Sequence, residues 1–229
     1  MPGITGDERL EDLLARLHAQ SEAETDARRA YFERRAAAGG LSWDGLDADA
    51  HAFFADKLVA LDPDKAEFCY LTCRALNARR VVEVGTSFGV STLYLVAAVR
   101  DVCGSSGGDG VVIGTEHEPA KAAAARANFA AAGLEGFIDL REGDLRETLK
   151  TLTGPIDFML VDIWTEMARP AIELIAPHLR PGAVVCADNT GGFRHPYRHY
   201  FEFVNDPANG LRTMTLPFDG GFEMTVRVG

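Results

Sequence analysis

The sequence predicts an α/β fold, built as a doubly wound, mostly parallel seven-stranded sheet with an antiparallel last strand and an N-terminal helical extension. Three observations carry this. From residue 81 onward, short apolar, often β-branched runs alternate with helix-length segments, the pattern of parallel strands joined by helical crossovers. The last two strand-like runs are joined only through Pro217 and Gly220-Gly221, too short a link for a crossover, so they pair antiparallel. Residues 7–38 are charged, Ala-rich and helical in period. Residues 1–46 therefore read as an extension and residues 47–229 as the main domain.

In the extension, Leu10, Leu13, Leu14 and Leu17 form one apolar stripe, able to cover the core or a partner subunit. Arg28, Arg29, Arg34 and Arg35 follow with interspersed Glu, as a solvated face or a local nucleic-acid contact. Gly39-Gly40 closes the segment. A helix over 47–61 carries Phe53, Phe54, Leu58 and Leu61, and Trp43 stands just before it, able to anchor a loop or cover a cavity mouth. Asp62-Pro63 then supplies a cap and a first helical position for a helix running to about residue 76. The alternation that follows predicts strands at 81–84, 111–116, 137–141, 156–163, 183–187, 211–216 and 222–228. Helices fall between them at 91–99, 118–132, 145–152, 166–179 and 195–205, with a Gly/Ser loop at 103–110.

With 229 residues, 47% hydrophobic and 25% charged, the chain suits one globular domain with a full-sized core. A formal net charge of -11 argues against a broad nucleic-acid-binding surface. No apolar run is long enough to span a bilayer. The acidic first eleven residues lack the basic and apolar regions of a signal peptide, so the expectation is a cytoplasmic protein with no membrane partner. Cys69, Cys73, Cys103 and Cys186 form no C-x-x-C pair and read as buried or half-buried free thiols.

The chemistry gathers at strand ends, where open parallel sheets bind ligands. After the first strand the chain reads Glu83-Val84-Gly85-Thr86-Ser87-Phe88-Gly89-Val90-Ser91-Thr92, a glycine turn that opens a helix. Glu116 ends the second strand, Gly143-Asp144 follows the third, and Asp162 ends the fourth. One acid at a strand end is commonplace, whereas four around one crevice form a constellation. The loop is G-x-x-x-G and lacks the third glycine of a dinucleotide fingerprint. A cofactor without phosphate and with positive charge suits the surrounding carboxylates, and S-adenosylmethionine is such a cofactor. Glu116 is placed for its ribose hydroxyls, Asp144 for its adenine, and Gly85 and Ser87 for its methionine tail. The alternative is an ordinary strand-to-helix turn.

Asp162, at the end of the fourth strand, and Asp188-Asn189, at the end of the fifth, bring three oxygen-bearing side chains beside this loop. Two carboxylates and an amide suit a hard divalent cation such as Mg²⁺. Asp188-Asn189 could equally turn the chain after a strand. Trp164 is a wall for a flat ring or core packing.

The stretch 83–92 resembles motif I of class I methyltransferases, and more narrowly the cation-dependent catechol and caffeoyl-CoA O-methyltransferase family. Pro63-Asp64-Lys65-Ala66-Glu67-Phe68 is similar to that family's P-x-x-G-x-(L/F) segment. The resemblance runs from about Pro63 to the C-terminus and does not cover residues before about Asp47. It implies a Rossmann-like methyltransferase domain over 47–229 and a homodimer. It implies S-adenosylmethionine held by Glu83, Gly85, Thr86, Ser87, Gly89, Ser91, Glu116, Asp144 and Asp162. It also implies Mg²⁺ on Asp162, Asp188 and Asn189, and a small-molecule acceptor such as a catechol.

One departure stands out. The family commonly carries a Lys three residues after its first metal Asp, where it helps deprotonate the acceptor; here that position is Thr165. Three readings follow, with Asp162 and His195 as the catalytic candidates: the metal alone lowers the hydroxyl's pKa enough, or His195, His199 or Glu166 takes the proton, or the metal-dependent chemistry is altered or lost. The leading expectation is a Mg²⁺-dependent O-methyltransferase acting on a small hydroxylated aromatic. The alternatives are methylation of a hydroxylated tRNA base, needing a basic rim from Arg28–Arg35, Arg194 and Arg198, and a catalytically idle S-adenosylmethionine-binding module.

Overall fold

The computed structural model describes residues 3–39 and 47–229. Gly40, Trp43 and the boundary after residue 46 lie outside the described residues. Seven strands form one sheet: β1 (Arg80–Val84), β2 (Val111–Glu116), β3 (Ile138–Glu142), β4 (Ile156–Val161), β5 (Leu179–Asp188), β6 (Leu211–Leu216) and β7 (Phe222–Arg227). Their order is β3-β2-β1-β4-β5-β7-β6. The first five are mutually parallel, and β7 inserts antiparallel between β5 and β6. This is the predicted doubly wound sheet with its antiparallel last strand.

The helices are α1 (Glu8–Ala23), α2 (Thr25–Ala37), α3 (Ala48–Phe54), α4 (Pro63–Ala75), α5 (Val90–Ser106), α6 (Pro119–Ala132), α7 (Leu145–Thr148), α8 (Thr165–Ile175) and α9 (Arg198–Asn205). The pleat of the strands sends alternate residues to opposite faces. Val81, Val112, Phe158 and Val184 meet α1, α4, α5 and α6 on one face. Val82, Ile113, Met159 and Val185 meet α7, α8 and α9 on the other. The stripe Leu10, Leu13, Leu14 and Leu17 is buried in the first of these cores, where α1 packs on α5 and α6. At about 2 kcal/mol for each buried leucine, the stripe ties α1 firmly to the main domain.

Several boundaries differ from the sequence expectation for local reasons. The 7–38 region is two helices, broken at Glu24, because Arg28 donates to the carbonyls of both Ser21 and Leu58. The same fastening ends α3 at Phe54 rather than 61: Leu58 N–H donates to Glu24 and Ala60 N–H to Ser21 Oγ, drawing 55–61 out of a helix. α5 runs on to Ser106 through the expected loop, since Val102 and Cys103 are buried and the hydroxyls of Ser105 and Ser106 donate to the Val102 carbonyl. α9 starts at Arg198, after a run of turns that contains His195. All four cysteines are buried and free. Among the described residues, no helix is long and apolar enough to cross a membrane.

The sheet order reverses at β1. Its chain continuation leads to β2 on one side, and β4 flanks it on the other. The crevice at the carboxyl ends of β1, β2 and β4 is therefore the switch point where such sheets take ligands.

Candidate active site

The β1–α5 loop is held from beneath. Glu83 is fully buried and accepts hydrogen bonds from Ser91 Oγ at 2.6 Å, Thr86 Oγ1 at 3.0 Å and Thr92 Oγ1. Burial pushes its carboxyl up, and the three hydroxyls oppose this. Glu83 thus ties both ends of the loop together and does not line the cavity described below. Glu83→Ala would leave three hydroxyls without an acceptor. It is expected to destabilise the fold by about 3 kcal/mol, read by urea denaturation. An unchanged midpoint would show that the loop holds itself.

The loop glycines answer to packing. Gly85 has φ +97, and a Cβ there would lie 1.9 Å from the Asp162 carbonyl oxygen. Gly89 has φ +84, and a Cβ there would lie 2.4 Å from the Phe129 ring. The missing side chains let the loop close against β4 and α6, a different reason from the ligand approach that sequence suggests.

A cavity of about 530 Å³ opens above this loop, within the size range of small-molecule sites. Glu116 lies on its wall, with Oε2 accepting from Ser87 N–H and Oε1 from Glu118 N–H, each at 2.7 Å. These bonds fix the carboxylate while leaving lone pairs for a ligand diol. Ser87 Oγ and Thr115 Oγ1, from cavity-lining residues, are buried without a hydrogen-bond partner among the described residues. Orphaned hydroxyls beside an oriented carboxylate fit a polar, hydroxyl-bearing cofactor. Asp144 lines the same side and caps α7. Its hydrogen bonds from the Arg146 side chain and backbone pull its carboxyl down to about 2.

On the opposite side lie Asp162 and Asn189. Asp162 is half-buried, its remaining surface turned to the cavity. Burial raises its carboxyl well above the ordinary range, with the charges of Asp188 and Glu83 adding to the rise. Asp188 is nearly buried and does not line the cavity. Its Oδ1 lies 2.7 Å from Lys65 Nζ, and its Oδ2 accepts from Asn189 Nδ2 at 2.8 Å. Lys65, only 1% exposed, reaches up from α4 and also pairs with Asp62 at 2.9 Å. Among the described residues, no group of three His, Cys, Asp or Glu is assembled to hold a metal. The candidate set is instead two carboxylates and an amide. Lys65 is paired with Asp188 and Asp62, and the oxygens of Asp162, Asp188 and Asn189 are hard donors of the kind that fit a divalent cation.

The acceptor side is roofed by aromatics. Tyr31 stacks on Phe53 at 4.0 Å, and Phe54 meets Trp164 edge-on at 5.2 Å. Phe32, Phe54, Trp164, Phe193 and Tyr197 reach the cavity. Trp164 is therefore a wall residue, packed against the aromatic cluster of α2 and α3.

The cavity gathers Gly85, Ser87, Glu116, Asp144, Asp162 and Asn189 from the sequence-derived site. Thr86, Gly89 and Ser91 stand behind the loop, as Glu83 does, and His195 lies outside the lining with Arg198 beside its ring at 3.3 Å. Sequence reasoning passed over Lys65, Lys121, Phe54 as a lining residue, and Tyr197. Lys65 carried a faint signal, a cation inside a segment that resembles a family motif; Tyr197 carried none. Three of the arginines named for a nucleic-acid rim have local partners. Arg29 pairs with Asp26, Arg35 with Asp47 and Asp49, and Arg194 lies over Phe201.

Residues 82–190, a little under half of the chain, match a family model described as a methyltransferase domain. The chain resembles class I S-adenosylmethionine-dependent O-methyltransferases. It is 33% identical over 132 residues to a catechol O-methyltransferase of Mycobacterium tuberculosis, a match covering 57% of each protein. The chain thus spans little more than half the length of that relative. A cofactor-bound structure from MTB superposes with a TM-score of 0.66 at 27% identity, covering 82% of this chain and 91% of that one. The O-methyltransferase of Bacillus cereus in complex with SAH shares the fold, with a TM-score of 0.65 at 24% identity over 78% of this chain and 87% of that one.

Proposed function

We propose that this protein is an S-adenosylmethionine-dependent O-methyltransferase acting on a small hydroxylated aromatic molecule of the catechol kind, with a divalent cation such as Mg²⁺. The observation that carries this reading is the Glu116 carboxylate, aimed by two backbone N–H groups into a cavity whose far wall holds Asp162 and Asn189. The comparison with a catechol O-methyltransferase supports the acceptor class.

The cofactor supplies an electrophilic methyl group on a sulfonium, and the chain's residues position it. Glu116 accepts the ribose hydroxyl protons, and Ser87 and Thr115 offer hydroxyls beside it. Asp162, Asp188 and Asn189 are the residues that would hold the cation, which stabilises an acceptor oxyanion when bound. Lys65 pairs with Asp188 and holds it in place, opposing the rise that burial gives its carboxyl. The aromatic roof sandwiches a flat ring and excludes water, so that the acceptor oxygen stays in line with the methyl group. Of the proton acceptors that the sequence offers, Glu166 lines the cavity and His195 does not.

The test is methyl transfer from S-adenosylmethionine to a panel of catechols, with Mg²⁺ and with EDTA. Turnover that EDTA removes and Mg²⁺ restores is expected. Turnover indifferent to EDTA would discard the cation while keeping the methyltransferase; cofactor binding with no transfer to any acceptor would point to an idle module.

A further inference from the structure

Thr165 leaves the acceptor side of the site without the lysine that the resembled family commonly places there. The hydroxyl of Tyr197 stands on that side. Tyr197 sits at the N-terminal cap of α9, is only 2% exposed, and lines the cavity with Asp162, Asn189 and Trp164. Its ring is fixed by an edge-on contact with Tyr200 at 5.9 Å and 79°. Its backbone N–H donates to the Phe193 carbonyl at 3.0 Å. Its phenolic oxygen makes no side-chain hydrogen bond among the described residues and is not one of the fully buried unpartnered atoms, so it keeps open surface in a residue that lines the cavity.

The surroundings say which role the hydroxyl can take. Burial, then the charges of Asp162 and Asp188, raise it well above the ordinary range of a phenol. A neutral phenol is an O–H donor, and this one shares the cavity lining with Asp162 and Asn189. A donor held there suits an acceptor oxygen lodged in the cavity.

We propose that Tyr197 is the acceptor-orienting residue of this site, donating its phenolic hydrogen bond to an oxygen of a vicinal dihydroxy aromatic while the other oxygen faces the methyl donor. This rests on the methyltransferase reading above. It adds the assignment of a neutral donor to a role for which the resemblance leads one to expect a cation. No proton transfer to or from Tyr197 is involved.

The test uses the full chain saturated with S-adenosylhomocysteine and Mg²⁺. 4-Nitrocatechol is titrated into wild type and Tyr197→Phe, with binding followed by the absorbance of the nitrocatecholate. Loss of one hydrogen bond to an ionised ligand is expected to weaken 4-nitrocatechol binding about tenfold or more. S-adenosylhomocysteine affinity and melting temperature stay at wild-type values. In turnover, the variant should also lose the wild type's preference between the two catechol oxygens, a readout that simple loosening of the pocket would not move. A variant that binds 4-nitrocatechol as tightly as wild type overturns the proposal alone. Parallel losses in S-adenosylhomocysteine affinity and melting temperature also overturn it, assigning Tyr197 to packing on Tyr200. A wild type that binds S-adenosylhomocysteine but not 4-nitrocatechol overturns the acceptor reading together with the proposal.

Discussion

Alanine at Gly85 is expected to abolish cofactor binding and to lower folding stability by about 3 kcal/mol, the sum of an overpacking cost and a left-handed backbone cost. The obstacle is backbone, not a flexible side chain: the new Cβ would lie 1.9 Å from the Asp162 carbonyl oxygen and 2.8 Å from its carbonyl carbon, at φ +97. Relief requires β1 and β4 to part at their carboxyl ends. That movement shifts Ser87, whose N–H orients Glu116, and Asp162 itself. One methyl group therefore disturbs both halves of the site. Gly89→Ala is the comparison, because its Cβ would also clash, at φ +84, but with the buried ring of Phe129 on α6 and not with the backbone of β4. Calorimetric titration with S-adenosylhomocysteine and urea denaturation of both variants measure the contrast. Near-normal binding by Gly85→Ala would mean that the loop has a second way to pack.

Asp162→Asn is expected to cut methyl transfer about a hundredfold or more while making the cation-free protein more stable near neutral pH. The native carboxyl titrates well above its ordinary value of 3.8, because it is buried near Asp188 and Glu83, with Lys65 only partly compensating. Between that ordinary value and the raised one, the native state holds more protons than the unfolded chain, so stability falls as pH rises. The contribution is complete below the unfolded value and is lost through the native one. Asparagine has no such loss. In EDTA, the melting temperature of Asp162→Asn should therefore gain on wild type between pH 5 and pH 8 on the order of a few degrees. Added Mg²⁺ should narrow the gap by binding wild type selectively. A gap that stays constant with pH would show that Asp162 does not titrate in this way.

Much of this was legible in the residues. The β-branched run of β1, the Asp62-Pro63 helix start and the glycine turn after Val84 report local rules that packing then obeyed. Acids at strand ends were found because the sheet topology fixes where those ends lie. What escaped depends on side chains that travel between elements. Nothing local in Lys65 shows that it crosses to β5, or in Arg28 that it fastens 55–61 to the extension. Glu83 reads as a site acid until the three hydroxyls that occupy it are seen together. Helix ends failed where tertiary hydrogen bonds overrode propensity, as at α3, and where burial carried a helix past Gly104, as at α5.

The insertion of β7 between β5 and β6 has a consequence in time. Asp188 stands opposite Phe222, so the strand that presents Asp188 and Asn189 stays an open edge until the last strand in the sequence pairs with it. A chain still emerging from the ribosome can complete the Glu83 knot and the Glu116 side of the cavity before that pairing is available. The half that would receive the methyl donor can thus mature first, and the half that would hold a cation and the acceptor matures only once β7 has been made.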